Sequence, residues 1–305
     1  MGAYLVRRAV RAVLVIIGVS FISFAVLFLS GDPTDILVGE DWTREEVQRL
    51  RRDMGLDRPW IVQYARYAGR AVRGDFGESL RYRRPAFDLI AERLPATLEL
   101  ALVALLLSVI LALPVGVLSA IHRGSLIDQG GMLFALVGQA MPVFWLGLML
   151  ILIFGVDLGW LPVSGRGTLA HLTLPALALS TYSIARNTRV IRSSMLDVLG
   201  NEYITTARAK GLSEWIVVHL HALRNAMIPV VTIIGIEFGH LLGGAVIVET
   251  IFAWPGIGRL MIQAVYAKDF PLVQASVTIT ALIFVTLNFI VDLLYSVLDP
   301  RVRLN

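Results

Sequence analysis

Two ionisable side chains, Glu237 and His240, stand inside an otherwise apolar stretch, residues 225–248. Three residues apart, they share one face of a helix. An ionisable group there is costly and marks a candidate site. Three readings are open: lining of a solute pathway, a buried Glu–His contact, or a pair that faces a partner chain. A second segment with functional character is Asn201-Glu202-Tyr203-Ile204-Thr205-Thr206-Ala207-Arg208-Ala209-Lys210-Gly211-Leu212. Asn201 suits an N-cap and Glu202 meets the positive end of the helix dipole. Lys210 meets the negative end, and Gly211 fits a left-handed stop. Ser213 can then cap a second helix with Trp215, Ile216 and Leu220. The result is a helix–glycine–helix elbow, which serves either as an ordinary connection or as a compact knob presented to a partner.

Enzyme chemistry finds no footing. The two lysines, Lys210 and Lys268, lie outside any G-x-x-x-x-G-K-[ST] phosphate loop. His219 and His221 lack the glutamate and spacing of a zinc-protease helix, and Ser164-Gly165 after Pro162-Val163 is no nucleophile turn. Cysteine is absent, which excludes disulfides, thiolate metal sites and cysteine nucleophiles. No catalytic or metal-ligating residue is assigned, and this chain holds no cofactor of its own.

The elements that must position these residues are membrane spans. The 305 residues are 56% hydrophobic and only 16% charged, where a soluble domain carries about 25%. The apolar residues come in blocks, as the bilayer core demands. Six spans are expected: 12–30, 100–121, 129–156, 167–185, 225–248 and 270–291. Pro114, Pro142, Pro175 and Pro229 fall within or beside them. Arg186, Arg189 and Arg192 are expected where the fourth span leaves the membrane, their stems reaching the headgroups. No A-x-A site follows the first span at Ser30-Gly31-Asp32, so it reads as an uncleaved anchor. Twelve basic residues (Arg7, Arg8, Arg11, Arg123, Arg186, Arg189, Arg192, Arg208, Lys210, Arg224, Arg301, Arg303) fall on the side of both termini. The short connections opposite hold Arg166, Arg259 and Lys268. This bias puts the termini in the cytoplasm. The net charge of +4 is assigned to that bias and not to nucleic acid.

Residues 31–97 then lie outside, since long loops translocate largely regardless of charge. Thr43 with Glu46 forms a capping box, Gly55 stops that helix, and Pro59 suits the start of another through Trp60, Tyr64 and Tyr67. The segment reads either as a solvated helical cap or as a docking surface for an external partner.

Glu202, Ala207, Gly211 and the closing Ile228-Pro229 resemble the EAA signature of ABC importer permeases. Tyr203-x-x-Thr206-Ala207-Arg208-Ala209-Lys210-Gly211-Leu212 and His221 to Pro229 resemble the dipeptide/oligopeptide/nickel permease branch. So do Gly55 to Pro59, Arg73-Gly74-Asp75-Phe76-Gly77, Val248-Glu249, Phe252, Pro255-Gly256-x-Gly258, Asp269-x-Pro271 and Asp299-Pro300-Arg301. The likeness covers nearly the whole chain. It departs at Thr206-Ala207, where the signature has two alanines, and at Glu237, where an uncharged polar residue is expected.

The resemblance implies an all-α, polytopic membrane protein of the type I importer permease kind, in a bacterial plasma membrane. It divides into residues 1–95, a permease core at 96–295 with its coupling helix at 200–215, and a tail at 296–305. The implied partners are a homologous second permease, two ABC ATPase subunits that bind ATP and Mg, an extracytoplasmic substrate-binding protein and membrane lipid. Glu202, Ala207, Arg208, Lys210, Gly211 and Leu212 are the implied coupling residues. Asp75, Phe76, Trp254, Pro255, Gly256 and Gly258 are the candidates for contact with the binding protein. Short peptides are the expected cargo, with nickel chelates, haem-like molecules or glutathione as alternatives. On composition alone, a secondary transporter competes.

Overall fold

The computed structural model describes residues 2–29, 43–53 and 57–298. The predicted stop at Gly55, the absent cleavage site at Ser30-Gly31-Asp32 and the Asp299-Pro300-Arg301 tail lie outside the described residues. In chain order the helices are α1 (Gly2–Leu29), α2 (Arg44–Asp53), α3 (Trp60–Ala71), α4 (Ala86–Ile121), α5 (Leu126–Ala140) and α6 (Val143–Leu150), which runs on as a π-helix to Asp157. They continue with α7 (Leu169–Leu199), α8 (Glu202–Ala209), α9 (Glu214–Ile216), a π-helical stretch Val217–Ala222, α10 (Leu223–Ile251), α11 (Ile257–Tyr266) and α12 (Phe270–Leu298). Among the described residues, strand pairing is limited to one isolated bridge, Glu78 with Pro85.

Four described helices are long and apolar enough to cross a membrane: Arg7–Leu27 within α1, α4, Ile233–Ile251 within α10, and Phe270–Val291 within α12. The predicted span over 129–156 is a pair, α5 and α6 with its extension, bent by 102°. Pro142 explains the break. It has no N–H to donate, and it forces the preceding residue out of the helical region. Met141 accordingly sits extended at φ −73°, ψ 125°. The predicted fourth span, 167–185, is not among the four. It lies in α7, which runs on to Leu199 as one helix. Its three arginines differ in their surroundings. Arg192 grips the buried Asp128 through two bonds of 2.6 and 2.7 Å, Arg186 turns toward Glu237, and Arg189 is exposed.

The chain divides into two compact units, residues 1–95 with 256–305, and residues 96–255. In the first, Tyr67, Leu89, Ile90, Ile257, Leu260, Leu272 and Ile279 form the core. The Tyr67 hydroxyl donates to Thr278 Oγ1 at 2.9 Å. Asp269, just before α12, ties this unit together. Its buried carboxylate accepts from Ser79 Oγ (2.5 Å) and from the N–H groups of Leu80 (3.1 Å), Arg81 (3.2 Å) and Leu272 (3.3 Å). The predicted capping box forms: Thr43 N–H donates to Glu46 Oε2 at 2.8 Å and Glu46 N–H to Thr43 Oγ1 at 3.4 Å. That backbone bond holds the Glu46 carboxyl below its ordinary range.

In the second unit, α7 packs on α5, α6 and α10. Gly116 of α4 lets α7 approach closely: a Cβ there would meet Ile191 Cβ and the Thr188 carbonyl at 2.8 Å. Small residues at such crossings are how membrane helices gain contact area.

Candidate functional site

The elbow forms as a turn built by its backbone. Gly211 takes φ +77°, its N–H bonds to Arg208 O (2.9 Å), and Leu212 N–H bonds to Ala207 O (3.4 Å). These two bonds are the Schellman pattern, and the left-handed residue within it costs least as glycine. Asn201 occupies the N-cap with extended backbone, and Ser213 occupies that of α9, but neither side chain makes the cap bond. An ion pair across the turn does the fastening: Arg208 Nε to Glu214 Oε1 at 2.7 Å. The guanidinium holds the Glu214 carboxyl below its usual range. Tyr203 is tied to α10, its hydroxyl accepting from Asn225 Nδ2 at 2.9 Å.

The knob has two sides. Ile204 and Ala207 are buried with Ile191 and Met195 of α7, Val217 and Val218 of the π-helical stretch, and Ala226 and Val230 of α10. Glu202, Arg208, Lys210, Gly211 and Leu212 are exposed, as is Trp215 at 69%, stacked on His219 at 4.8 Å. Of the six predicted coupling residues, Ala207 is therefore the anchor and the other five form the outer face. Packed side chains, not a flexible link, thus join that face to α7 and α10.

Glu237 and His240 are not brought together. Glu237 is 2% exposed and belongs to a polar cluster inside the second unit. Asn187 Nδ2 donates to its Oε2 at 2.9 Å and to Ser108 Oγ at 3.4 Å, while Arg186 Nε stands 3.7 Å from its Oε1. His240 is exposed on α10. The buried Glu–His contact is thus replaced by a Glu–Asn–Arg cluster that joins α7 to α10. A second buried carboxylate, Glu249, accepts from Thr97 Oγ1 at 2.6 Å.

The residues proposed for contact with an external protein divide in the same way. Asp75 and, in part, Pro255 reach the surface. Phe76, Gly256 and Gly258 are buried in the first unit. Trp254, at 1% exposed, belongs to the interior of the second, its indole N–H donating to Ala96 O at 2.8 Å. These four are buried packing residues of this chain. Arg166 lies over the Trp254 ring at 5.9 Å and pairs with Glu99 at 2.6 Å, beside an open recess of about 720 Å³.

Sequence reasoning missed the Arg208–Glu214 fastening, the Asn187 partner of Glu237 and the Asp269 knot. The first had a signal, since opposite charges flank a glycine stop. The other two join residues 50 and 190 apart in the chain, and no local pattern announces them.

Comparison with known proteins follows the same outline. The family described as binding-protein-dependent transport system inner membrane component matches residues 112–304, and the family of its N-terminal region matches residues 1–101. The dipeptide transport system permease protein DppB of Alkalihalophilus pseudofirmus is 39% identical over 332 residues, covering 99% of this chain and 100% of that protein. A di/tripeptide transport system permease protein of Pseudomonas aeruginosa is 41% identical over 99% of each chain. The glutathione transport system permease protein GsiC of Salmonella paratyphi A is 40% identical over 98% of each. Among solved structures, an inward-facing form of the MetNI methionine ABC transporter shares the fold at a TM-score of 0.56 and 19% identity, over 69% of this chain and 96% of that one. The chain belongs to the family of binding-protein-dependent transport system inner membrane components.

Proposed function

We propose that this chain, as such a component, is the membrane-spanning permease subunit of an ATP-driven importer of short peptides. The observation that carries this reading is the elbow. A cytoplasmic knob with an exposed face of Glu202, Arg208, Lys210, Gly211 and Leu212 is anchored by Ile204 and Ala207 in the packing of α7 and α10. A separate ATPase chain seats on that face. Its opening and closing tilt the anchored helices and so switch access along the path. The chain lacks a phosphate loop, so hydrolysis belongs to two partner subunits that carry ATP and Mg. One chain supplies half of the pathway and a second permease the other half. An extracytoplasmic binding protein delivers cargo.

Six spans with cytoplasmic termini fit this reading. α7 makes the sixth, its Arg192 bound to Asp128 and its Asn187 donating to Glu237 and Ser108 inside the protein. Glu237 acts as a positioning residue between α7 and α10, not as a group that meets cargo. Short peptides are favoured because relatives named for dipeptide and di/tripeptide transport align end to end with this chain. Glutathione is the second reading, on the equal identity of a glutathione permease.

A tagged purification in mild detergent tests the reading. ATPase chains are expected to accompany the protein, and the assembly in vesicles with its binding protein is expected to accumulate dipeptides at the expense of ATP. Gly211→Asp should leave the membrane fold intact and uncouple hydrolysis from uptake. A stable, solitary chain that moves solute under an ion gradient would instead mark a secondary transporter, with the elbow as a mere connector.

A further inference from the structure

Helix α3 has three faces. At 100° per residue, and with Val72 and Arg73 of the turn that continues it, Tyr64, Tyr67 and Ala71 fall in one sector, Ile61, Ala65 and Val72 in a second, and Arg66, Arg70 and Arg73 in a third, with centres roughly 120° apart. The first sector packs inside the first unit, where Tyr67 is buried and Tyr64 meets α1. The second is apolar yet open, with Ile61 at 60% and Val72 at 90% exposure. The third is basic. Residues 58–74 hold four arginines and no acid, and among the described residues none of the four makes an ion pair.

Where α3 meets α1 fixes its depth. The Tyr64 hydroxyl lies 2.9 Å from Ser20 Oγ and donates to Ile17 O at 3.2 Å, and the Trp60 ring packs on Phe21 at 5.5 Å. The apolar span of α1 runs from Arg7 to Leu27. Ser20 therefore sits about 10 Å of helix rise inside the end of the span. Amphipathic helices that lie in a membrane interface bury their apolar face about 5–10 Å into the boundary between headgroups and acyl chains. A helix in water alongside α1 would meet its end, not its interior. Every polar group at that depth must be satisfied within the protein, and the Tyr64–Ser20–Ile17 contacts do this.

We propose that α3 is seated in the membrane interface at the Leu27 end of α1. Ile61, Ala65 and Val72 lie among acyl chains, and Arg66, Arg70 and Arg73 bond the phosphates of anionic lipid. For this helix it replaces both readings given above, the solvated cap and the docking surface for an external partner. A protein partner on the same apolar stripe would have to enter the bilayer.

The absence of cysteine makes the test direct. Nitroxide labels are placed singly at Ala65→Cys, Ile61→Cys, Val72→Cys and Arg66→Cys in the full chain, in vesicles of phosphatidylcholine and phosphatidylglycerol. Leu14→Cys, within the α1 span, serves as the depth reference. At positions 61, 65 and 72, oxygen collisions should exceed those of a water-soluble nickel chelate several-fold, approaching position 14, while position 66 reverses the order. In phosphatidylcholine alone, the three apolar positions should become shallower. Ala65→Cys replaces one small exposed side chain by another, so a folded sample is secured even if the Ile61 variant misfolds. Nickel-chelate access at 65 and 72 equal to that at 66 would overturn the proposal in favour of a solvated cap. Protection that arises only on adding the substrate-binding protein would overturn it in favour of a protein docking surface.

Discussion

Replacing Gly211 by valine or by asparagine separates the shape of the elbow from its chemistry. At φ +77° the residue sits in the left-handed region, and a Cβ built there meets nothing within 4 Å. The only cost of a side chain is therefore conformational. For a β-branched residue that cost is about 1–2 kcal/mol or more, while asparagine tolerates the region at a small fraction of it. About 1.4 kcal/mol is a tenfold change in population. Valine should thus drain the Schellman turn about tenfold toward forms in which Gly211 N–H and Leu212 N–H leave Arg208 O and Ala207 O. The Arg208–Glu214 pair spans that turn and parts with it. Asparagine should keep most of the turn. The assay is peptide uptake per ATP hydrolysed in vesicles, with thermal unfolding in detergent as the control for the fold. Asn is expected to stay near wild type while Val and Asp both uncouple, Val by losing the turn and Asp by placing a negative charge on the exposed face, with unfolding temperatures close together because the changes are local. Equal loss in Gly211→Asn and Gly211→Val would refute the reasoning: the partner would then be reading the bare glycine surface, and not the turn it permits. Wild-type coupling in Gly211→Val would refute any role for the turn.

The packing statements carry predictions of their own. Gly116→Ala forces a methyl into Ile191 and a backbone carbonyl, overpacking worth about 1–3 kcal/mol; the midpoint of thermal unfolding should fall, whereas Gly69→Ala, with nothing within 4 Å, should leave it unchanged or raise it. Asp269→Asn turns an amide toward donors that now find a carboxylate, and should cost about 2–3 kcal/mol, read as a lower midpoint or faster proteolysis around residues 79–82. Glu214 titrates below its usual range because Arg208 binds the charged form. The pairing is therefore present above the unfolded carboxyl range, near pH 4–5, and is lost as pH falls through the depressed value. Coupling in wild type should be flat from pH 6 to 8 with respect to this group, and Glu214→Gln should lower it without creating a slope; a pH-dependent wild type that Glu214→Gln flattens would contradict the assignment.

Much of the fold was legible because span and helix signals are local. An unbroken apolar block needs no knowledge of its neighbours to be read as a helix in lipid, and the Thr43–Glu46 box closes within four residues. The errors arise where a distant contact decides. Arg192 points inward because Asp128, on another helix, is there to receive both nitrogens, and a charge written at a membrane boundary does not reveal such a partner. The stretch 129–156 lacks any charge, so only Pro142 hinted that it was two helices, and proline is tolerated in spans often enough that the hint does not decide.

The same division runs through the site. The elbow was legible because its determinants lie within fifteen residues: a helix start, a glycine stop and a second start. Its anchoring was not, since Ile204 and Ala207 are buried by residues of α7, α10 and the π-helical stretch. Motif strings mix both kinds of residue. Phe76, Trp254, Gly256 and Gly258 stood out beside the knob residues in the sequence, yet they are buried, and what sets them apart is packing. A family signature therefore collects two kinds of residue at once, exposed ones that a partner can reach and buried ones that fasten the helices to each other. Ala207 belongs to the second class and Lys210 to the first, although they stand three residues apart. Only burial tells them apart, and under the function proposed above both answer to the same partner, one by touching it and the other by carrying its motion into the membrane.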